Sequence, residues 1–291
     1  MTMAPKVALI TGTNSGIGLP TAVQLCQAGY ITYASVRSLS KAGALRKAAA
    51  AAGVANLLKI IEMDVGSDES VATAVNGLLS ETDNVINVAI ANAGYADFAP
   101  PEVASVAAFE SNMNVNFYGV VRLANAVLPA MRAARRGRFI ATSSVVGLMG
   151  TPMKPVYVST KFALEGYVES MAASYASVGI HFSLVEPGPV ASEFMANSTG
   201  NVEAAPAELR SVANAYHTAF LRVMADPLPA EECAKYFLRA ATDERPHLRY
   251  MAYEAMAPAL GVKYSDLTGD KTLAVLTSIS VPPTATSGGC E

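Results

Sequence analysis

The sequence predicts an α/β fold, a single doubly wound domain whose mostly parallel seven-stranded sheet carries helices on both faces. Three observations lead there. Short apolar runs alternate with longer helical patterns over most of the 291 residues, the order that joins parallel strands through crossover helices. The runs are apolar throughout, not at every second position, as strands covered on both faces must be. A glycine-rich turn follows the first run, where such sheets receive phosphate.

Strands are expected at VALIT (7–11), ITYASV (31–36), LKIIEMDV (58–65), VINVAIA (85–91), RFIATS (138–143), HFSLVE (181–186) and LRYMA (248–252). Helices fill the gaps at about 17–28, 40–52, 68–80, 105–134, 155–178, 203–224 and 230–242. Pro20 in the first turn and Gly29 just past the last delimit the first helix. No linker or solenoid-length repeat breaks the alternation, so one catalytic domain is expected over 1–277. The stretch 194–228 is longer than a plain crossover and is expected to form a substrate-binding insertion or lid. Phe194, Met195, Tyr216, Phe220 and Met224 would give it an apolar lining. Residues 278–291, ending VPPTATSGGCE, are expected to be a disordered tail.

Composition narrows the function classes. A hydrophobic content of 52% supplies a core, and a net charge of -3 gives no general attraction to nucleic acid or anionic membrane. The basic run Arg132, Arg135, Arg136 and Arg138 reads as a solvated helix end. No apolar stretch approaches the about 20 residues of a membrane span, so no integral membrane segment is expected. The opening MTMAPKVALITG runs into a strand pattern and does not read as a secretory signal. Three widely spaced cysteines suggest neither a disulfide framework nor a metal site, and a cytoplasmic location is expected.

The turn TGTNSGIG places Gly12, Gly16 and Gly18 around Asn14, Ser15 and Ile17, between the first strand and the first helix. Glycines there let a pyrophosphate approach the backbone amides that open the helix. Asp64-Val65 and Asn92-Ala93-Gly94 end the third and fourth strands, at the sheet edge where open α/β sheets bind ligands. In this order the three motifs point to a dinucleotide and a Rossmann-type domain. Tyr157 and Lys161 stand four apart on a helix and share a face. Standing alone, the pair reads more readily as a lysine covering a half-buried ring.

The chain resembles the classical short-chain dehydrogenase/reductase family from about Lys6 to Met195, with an echo at RPHLRYMAYE. The resemblance rests on TGTNSGIG, NAG, Asn116 in NVNFYG, Ser144 in SSVVGLMG, Tyr157 and Lys161 in YVSTK, and EPGPV. Ser144 stands 13 residues before Tyr157, the family's usual spacing, which selects it over Ser143. GLMGTP, VYVSTKFALEG and LRY look most like the 17-beta-hydroxysteroid and retinol dehydrogenase branch. The resemblance implies Asn116, Ser144, Tyr157 and Lys161 as catalytic residues, with Asn116 holding a water that links Lys161 to solvent. It also implies that Tyr157, Lys161, Pro187, Gly188, Val190 and Ser192 join the cofactor residues. A homodimer or homotetramer through the helices at 105–134 and 155–178 is implied too.

Elementary electrostatics gives the Tyr–Lys pair a purpose. A free phenol titrates near 10, and a unit charge at about 4 Å contributes about 4 kcal/mol at an effective dielectric of about 20. Lys161 is therefore expected to lower Tyr157 toward a working acid and base. The second strand ends in Val36 and Arg37, where an NAD enzyme of this fold commonly places a carboxylate. NADP(H) is thus expected over NAD(H), with Arg37 on the 2'-phosphate; the alternative is an arginine stacked on adenine. The expected activity is hydride transfer between nicotinamide and a carbonyl or hydroxyl of an apolar alcohol, ketone or aldehyde, such as a steroid, retinoid or long-chain keto compound. The competing class is a non-catalytic NADPH-binding regulatory protein.

Overall fold

Every residue of Val7–Ile10 is buried, so β1 (Lys6–Ile10) has no solvent face. Its odd and even positions serve different layers. Val7 and Leu9 join one apolar cluster, Ala8 and Ile10 the other, and the neighbours Tyr33 and Ala34, Ala89 and Ile90, Phe139 and Ile140, and Leu184 and Val185 repeat the division. This is why the runs read as continuously apolar. The protein is described here by a computed structural model covering residues 6–280.

The remaining elements follow in chain order: α1 (Gly18–Gln27), β2 (Tyr30–Val36), α2 (Gly43–Ala51), β3 (Leu58–Glu62), α3 (Asp68–Glu81) and β4 (Val88–Ala91). Then come α4 (Val106–Met113), α5 (Gly119–Ala133), β5 (Gly137–Thr142), α6 (Val145–Leu148), α7 (Pro155–Tyr175), β6 (Ile180–Pro187) and β7 (Val190–Ala191). The chain continues through α8 (Arg210–Val223), β8 (Leu228–Pro229), α9 (Ala230–Thr242), β9 (Arg249–Ala252), α10 (Ala257–Ser265) and α11 (Asp270–Ser280). Seven strands form one sheet in the order β3-β2-β1-β4-β5-β6-β9, parallel at each junction. Leu123, Leu164 and Val75 bring α5, α7 and α3 onto one face. Leu25, Leu45 and Phe237 bring α1, α2 and α9 onto the other.

The order reverses at β1, which pairs with β2 on one side and β4 on the other. A crevice opens there at the carboxyl ends of the strands. β7 and β8 pair Val190 with Leu228, a small clasp bracketing the segment that carries α8. An isolated bridge between Asp97 and Thr199 ties the start of that segment to the loop after β4. Thr199 Oγ1 donates to Asp97 Oδ2 at 2.7 Å, and Phe98 N donates to Thr199 O at 2.8 Å.

Several expectations need correction. β3 stops at Glu62, so Met63, Asp64 and Val65 form a loop after the strand. β4 begins at Val88, and just before it Asn87 Oδ1 accepts from the amide of Val7 while Asn87 N donates to Val7 O at 2.9 Å. The helix expected over 105–134 contains a π-helical segment, Asn114–Tyr118, between α4 and α5. The helix expected over 203–224 begins at Arg210; Pro206, in an extended conformation, separates two short 3-10 turns before it. Residues 278–280 complete α11 and are helical, not tail, since Asp270 supports its first turn and α11 packs beside α8 and α10. Residues 281–291 lie outside the described residues.

Candidate active site

The glycine turn is shaped by close approach. A Cβ at Gly12, whose φ is +70°, would lie 2.8 Å from Ala93 Cα; one at Gly18 would lie 2.2 Å from Gly12 O. Asn92 locks the two loops together, donating from Nδ2 to Thr11 O and Gly12 O, both at 3.0 Å. Thr11 Oγ1 accepts from the amides of Asn92 and Ala93 at 2.9 and 3.0 Å. No side chain caps the N-terminus of α1, leaving its first amides for a ligand. These features fit a dinucleotide pyrophosphate.

One cavity of about 780 Å³ runs from this turn to α8. Gly12, Asn14, Ser15, Gly16 and Ile17 line its start, with Arg37 after β2. Asp64, Val65, Asn92, Ala93 and Gly94 line the strand ends. Ser144, Tyr157 and Lys161 follow, and Pro187, Gly188, Val190 and Ser192 complete the wall after β6. Gly18 stands behind the turn, where its missing Cβ permits the packing. Phe194, Met195, Tyr216, Phe220 and Met224 all face this cavity, as does Ile279 of α11, which the sequence reading did not single out.

Tyr157 and Lys161 lie one turn apart on α7, and Nζ sits 5.5 Å from the phenol ring centroid. Both are buried. Lys161 Nζ donates to Thr142 O at 2.8 Å, at the end of β5. Ser144 Oγ accepts from Val146 N at 3.3 Å, starting α6, and donates to Pro187 O at 3.3 Å. Ser143 turns elsewhere, donating to Glu165 Oε1, so the neighbouring hydroxyls have separate partners. Glu165 and Glu186 both pair with Arg249 of β9, and burial raises the Glu186 carboxyl to about 7, with Glu165 adding to the rise.

The electrostatics correct one expectation. Burial pushes the Tyr157 phenol well above its ordinary value, and the hydrogen bond with Ser144 offsets only part of this. Burial likewise draws Lys161 down to about 8, against a smaller upward pull from Glu165. Desolvation therefore outweighs the mutual influence of the pair.

Asn116 is placed differently from the other three. It lies in the π-helical segment, fully buried, and does not line the cavity. Its Nδ2 donates to Tyr95 O at 2.8 Å, Asn112 Oδ1 at 3.1 Å and Thr160 Oγ1 at 3.2 Å, while Oδ1 accepts from Tyr95 N at 3.0 Å. It braces the loop after β4 against α7. Sequence reading also missed Thr142, which anchors Lys161 through a backbone oxygen that no side-chain pattern reveals.

A switch-point crevice with a glycine turn, an uncapped helix and a buried Tyr–Lys pair defines a dinucleotide-dependent enzyme fold. A family profile described as short chain dehydrogenase matches residues 6–203. The chain is 37% identical to retinol dehydrogenase 8 of Bos taurus over 283 residues, covering 92% of this chain and 88% of that protein. It is 37% identical to 17-beta-hydroxysteroid dehydrogenase type 1 of Homo sapiens over 281 residues, covering 92% of this chain and 83% of that one. A solved short chain dehydrogenase/reductase from Burkholderia phymatum, in complex with NAD, shares the fold with a TM-score of 0.76 at 21% identity, covering 91% of this chain and 95% of that one. The chain belongs to the short-chain dehydrogenase/reductase family, in the branch of its retinol and 17-beta-hydroxysteroid dehydrogenase relatives, and is an oxidoreductase.

Proposed function

We propose that the protein is an NADP(H)-dependent oxidoreductase that interconverts a carbonyl and a hydroxyl on a substrate with a bulky apolar body. The observation carrying this reading is the shared cavity, which joins Gly12 and Arg37 at one end to Tyr157 and then to the apolar side chains of α8. When bound, the nicotinamide supplies or accepts the hydride.

The chain's own groups handle the proton. Tyr157, kept protonated by burial, gives its proton to the oxygen that gains charge as the carbonyl is reduced. Ser144 Oγ donates a hydrogen bond to the same oxygen in place of its long bond to Pro187. Lys161, cationic below about 8, stabilises the phenolate left behind and returns its proton. Asn116 holds the loop and helix that frame these groups. Oxidation uses the same residues in reverse.

The cofactor preference rests on Arg37 and on the absence of an acid at Val36; Lys41 adds a second cation at that end of the cavity. Residues 6–280 serve as one catalytic unit in this reading, with 194–228 as its lid. The lid would favour a steroid-like, retinoid-like or long-chain keto substrate. A homodimer or homotetramer is also inferred through the long helices, where Val106 and Tyr118 are 74% and 50% exposed. The free Cys26 and Cys233 suit a reducing, cytoplasmic setting, and no helix among the described residues is long and apolar enough to cross a membrane.

The test is NADPH and NADH oxidation against a panel of ketones and aldehydes, with Tyr157→Phe alongside. The reading expects turnover with NADPH, nearly abolished in Tyr157→Phe while cofactor binding persists. Comparable turnover in that variant would remove the assigned proton donor.

A further inference from the structure

Lys154 is a buried cation that the proton chemistry leaves unused. It is only 7% exposed, yet it lines the same cavity as Tyr157. It stands at the N-terminus of α7, three residues before the phenol. Its Nζ lies 5.4 Å from the ring centroid of Tyr216, 5.5 Å from that of Phe220 and 6.0 Å from that of Phe98.

Aromatic faces attract a cation, but they leave three N–H donors without proper acceptors. Among the described residues no carboxylate forms an ion pair with Lys154, and Nζ makes no hydrogen bond. Burial alone lowers its pKa to about 8, so it is still mainly cationic at neutral pH. No side chain caps the adjoining helix terminus, whose partial positive charge adds to the ammonium. The other cations lining the cavity lie elsewhere: Arg37 and Lys41 follow β2, and Lys161 is tied to Thr142.

An unpaired buried ammonium is costly, and an anionic group of a ligand in the cavity would supply the missing partner. We propose that Lys154 recognises a carboxylate on the substrate, so that the enzyme acts on hydroxy or keto acids whose apolar body packs under α8. One ammonium matches one monoanion. A phosphate would leave a second charge unpaired among Phe98, Tyr216 and Phe220. Lys154 and Tyr157 line the same cavity, so one substrate can present its acid to the ammonium and its carbonyl to the phenol. The proposal rests on the oxidoreductase reading above and specifies its substrate class.

The test compares 4-oxodecanoate and 5-oxodecanoate with their methyl esters and with 4-decanone, in the wild type, Lys154→Met and Lys154→Arg. NADPH binding by fluorescence verifies that each variant is folded. Binding of decanoate and decanol is measured in parallel by calorimetry. A charge-assisted pair predicts that the wild type prefers acid to ester by about tenfold to hundredfold in kcat/KM, chiefly through KM. That preference should collapse in Lys154→Met and return in Lys154→Arg, and decanoate should outbind decanol only where a cation stands at 154. A wild type that uses the esters as well as the acids overturns the proposal, as does an acid-to-ester ratio that persists in Lys154→Met. If neutral ketones turn over but the acids gain nothing, the Lys154 assignment fails and the oxidoreductase reading stands. If no ketone is reduced, the proposed carbonyl reduction at this site fails, and equal binding of decanoate and decanol overturns the Lys154 assignment separately.

Discussion

Lys161 Nζ is fastened to Thr142 O at 2.8 Å, so the cation beside Tyr157 is held by the end of β5 as well as by its own helix. This contact fixes the ammonium while burial weakens its hold on the proton.

A pH dependence follows. Lys161 is cationic below about 8 and loses its proton as pH rises through that value, whereas burial keeps Tyr157 protonated well beyond it. The kcat for carbonyl reduction should be level below about pH 8 and fall above it. Single-turnover rates across pH 6 to 10 check this; a rate that increases through pH 8 would contradict the assigned role. Lys161→Ala should lose both rate and cofactor affinity at every pH.

Gly18→Ala should destabilise the protein and weaken cofactor binding together. Its Cβ would meet Gly12 O at 2.2 Å and Asn92 Nδ2 at 2.6 Å, and a backbone oxygen in the phosphate turn cannot step aside cheaply. A loss of about 1–3 kcal/mol is expected from such overpacking. Gly77→Ala is the contrast, because its Cβ meets nothing within 4 Å inside α3 and should stabilise by about 0.5–1 kcal/mol. Denaturant titration of both variants gives the comparison.

Arg37→Ala should weaken NADPH binding by about tenfold to hundredfold and leave NADH nearly unchanged, since only the 2'-phosphate loses a partner. Val36→Asp should shift the preference further toward NADH by repelling that phosphate. Dissociation constants for both cofactors decide the matter. Equal weakening of the two would mean that Arg37 stacks on adenine instead.

Tyr118→Glu should dissociate the inferred homo-oligomer, because an exposed aromatic on the long helix would become a charge in the interface. Sedimentation of the wild type as a monomer at micromolar concentration would remove the premise.

Much of this architecture is readable along the chain. The seven apolar runs announce seven buried parallel strands because each must satisfy two layers, as Leu9 and Ile10 do on opposite faces. The glycine turn is equally local, since its requirement at Gly12 is written in a backbone torsion. The helix expected at 105–134 hid its π-helical segment, because a π turn carries no sequence periodicity of its own. The C-terminal α10 and α11 lack a clear amphipathic pattern, and their packing depends on neighbours far away in sequence.

By itself, then, the sequence determined the layered sheet, the phosphate turn and the pairing of Tyr157 with Lys161, all set by short-range periodicity and backbone conformation. Only the tertiary structure decided that Asn116 bonds Tyr95 and Thr160, that Ser143 and Ser144 turn to different partners, and that Lys154 sits unpaired among three aromatic rings. The physical reason is that burial and hydrogen-bond partnership depend on residues brought together from distant parts of the chain. Phe98 and Phe220 reach Lys154 only after the loop after β4 and the α8 segment have closed over the same cavity.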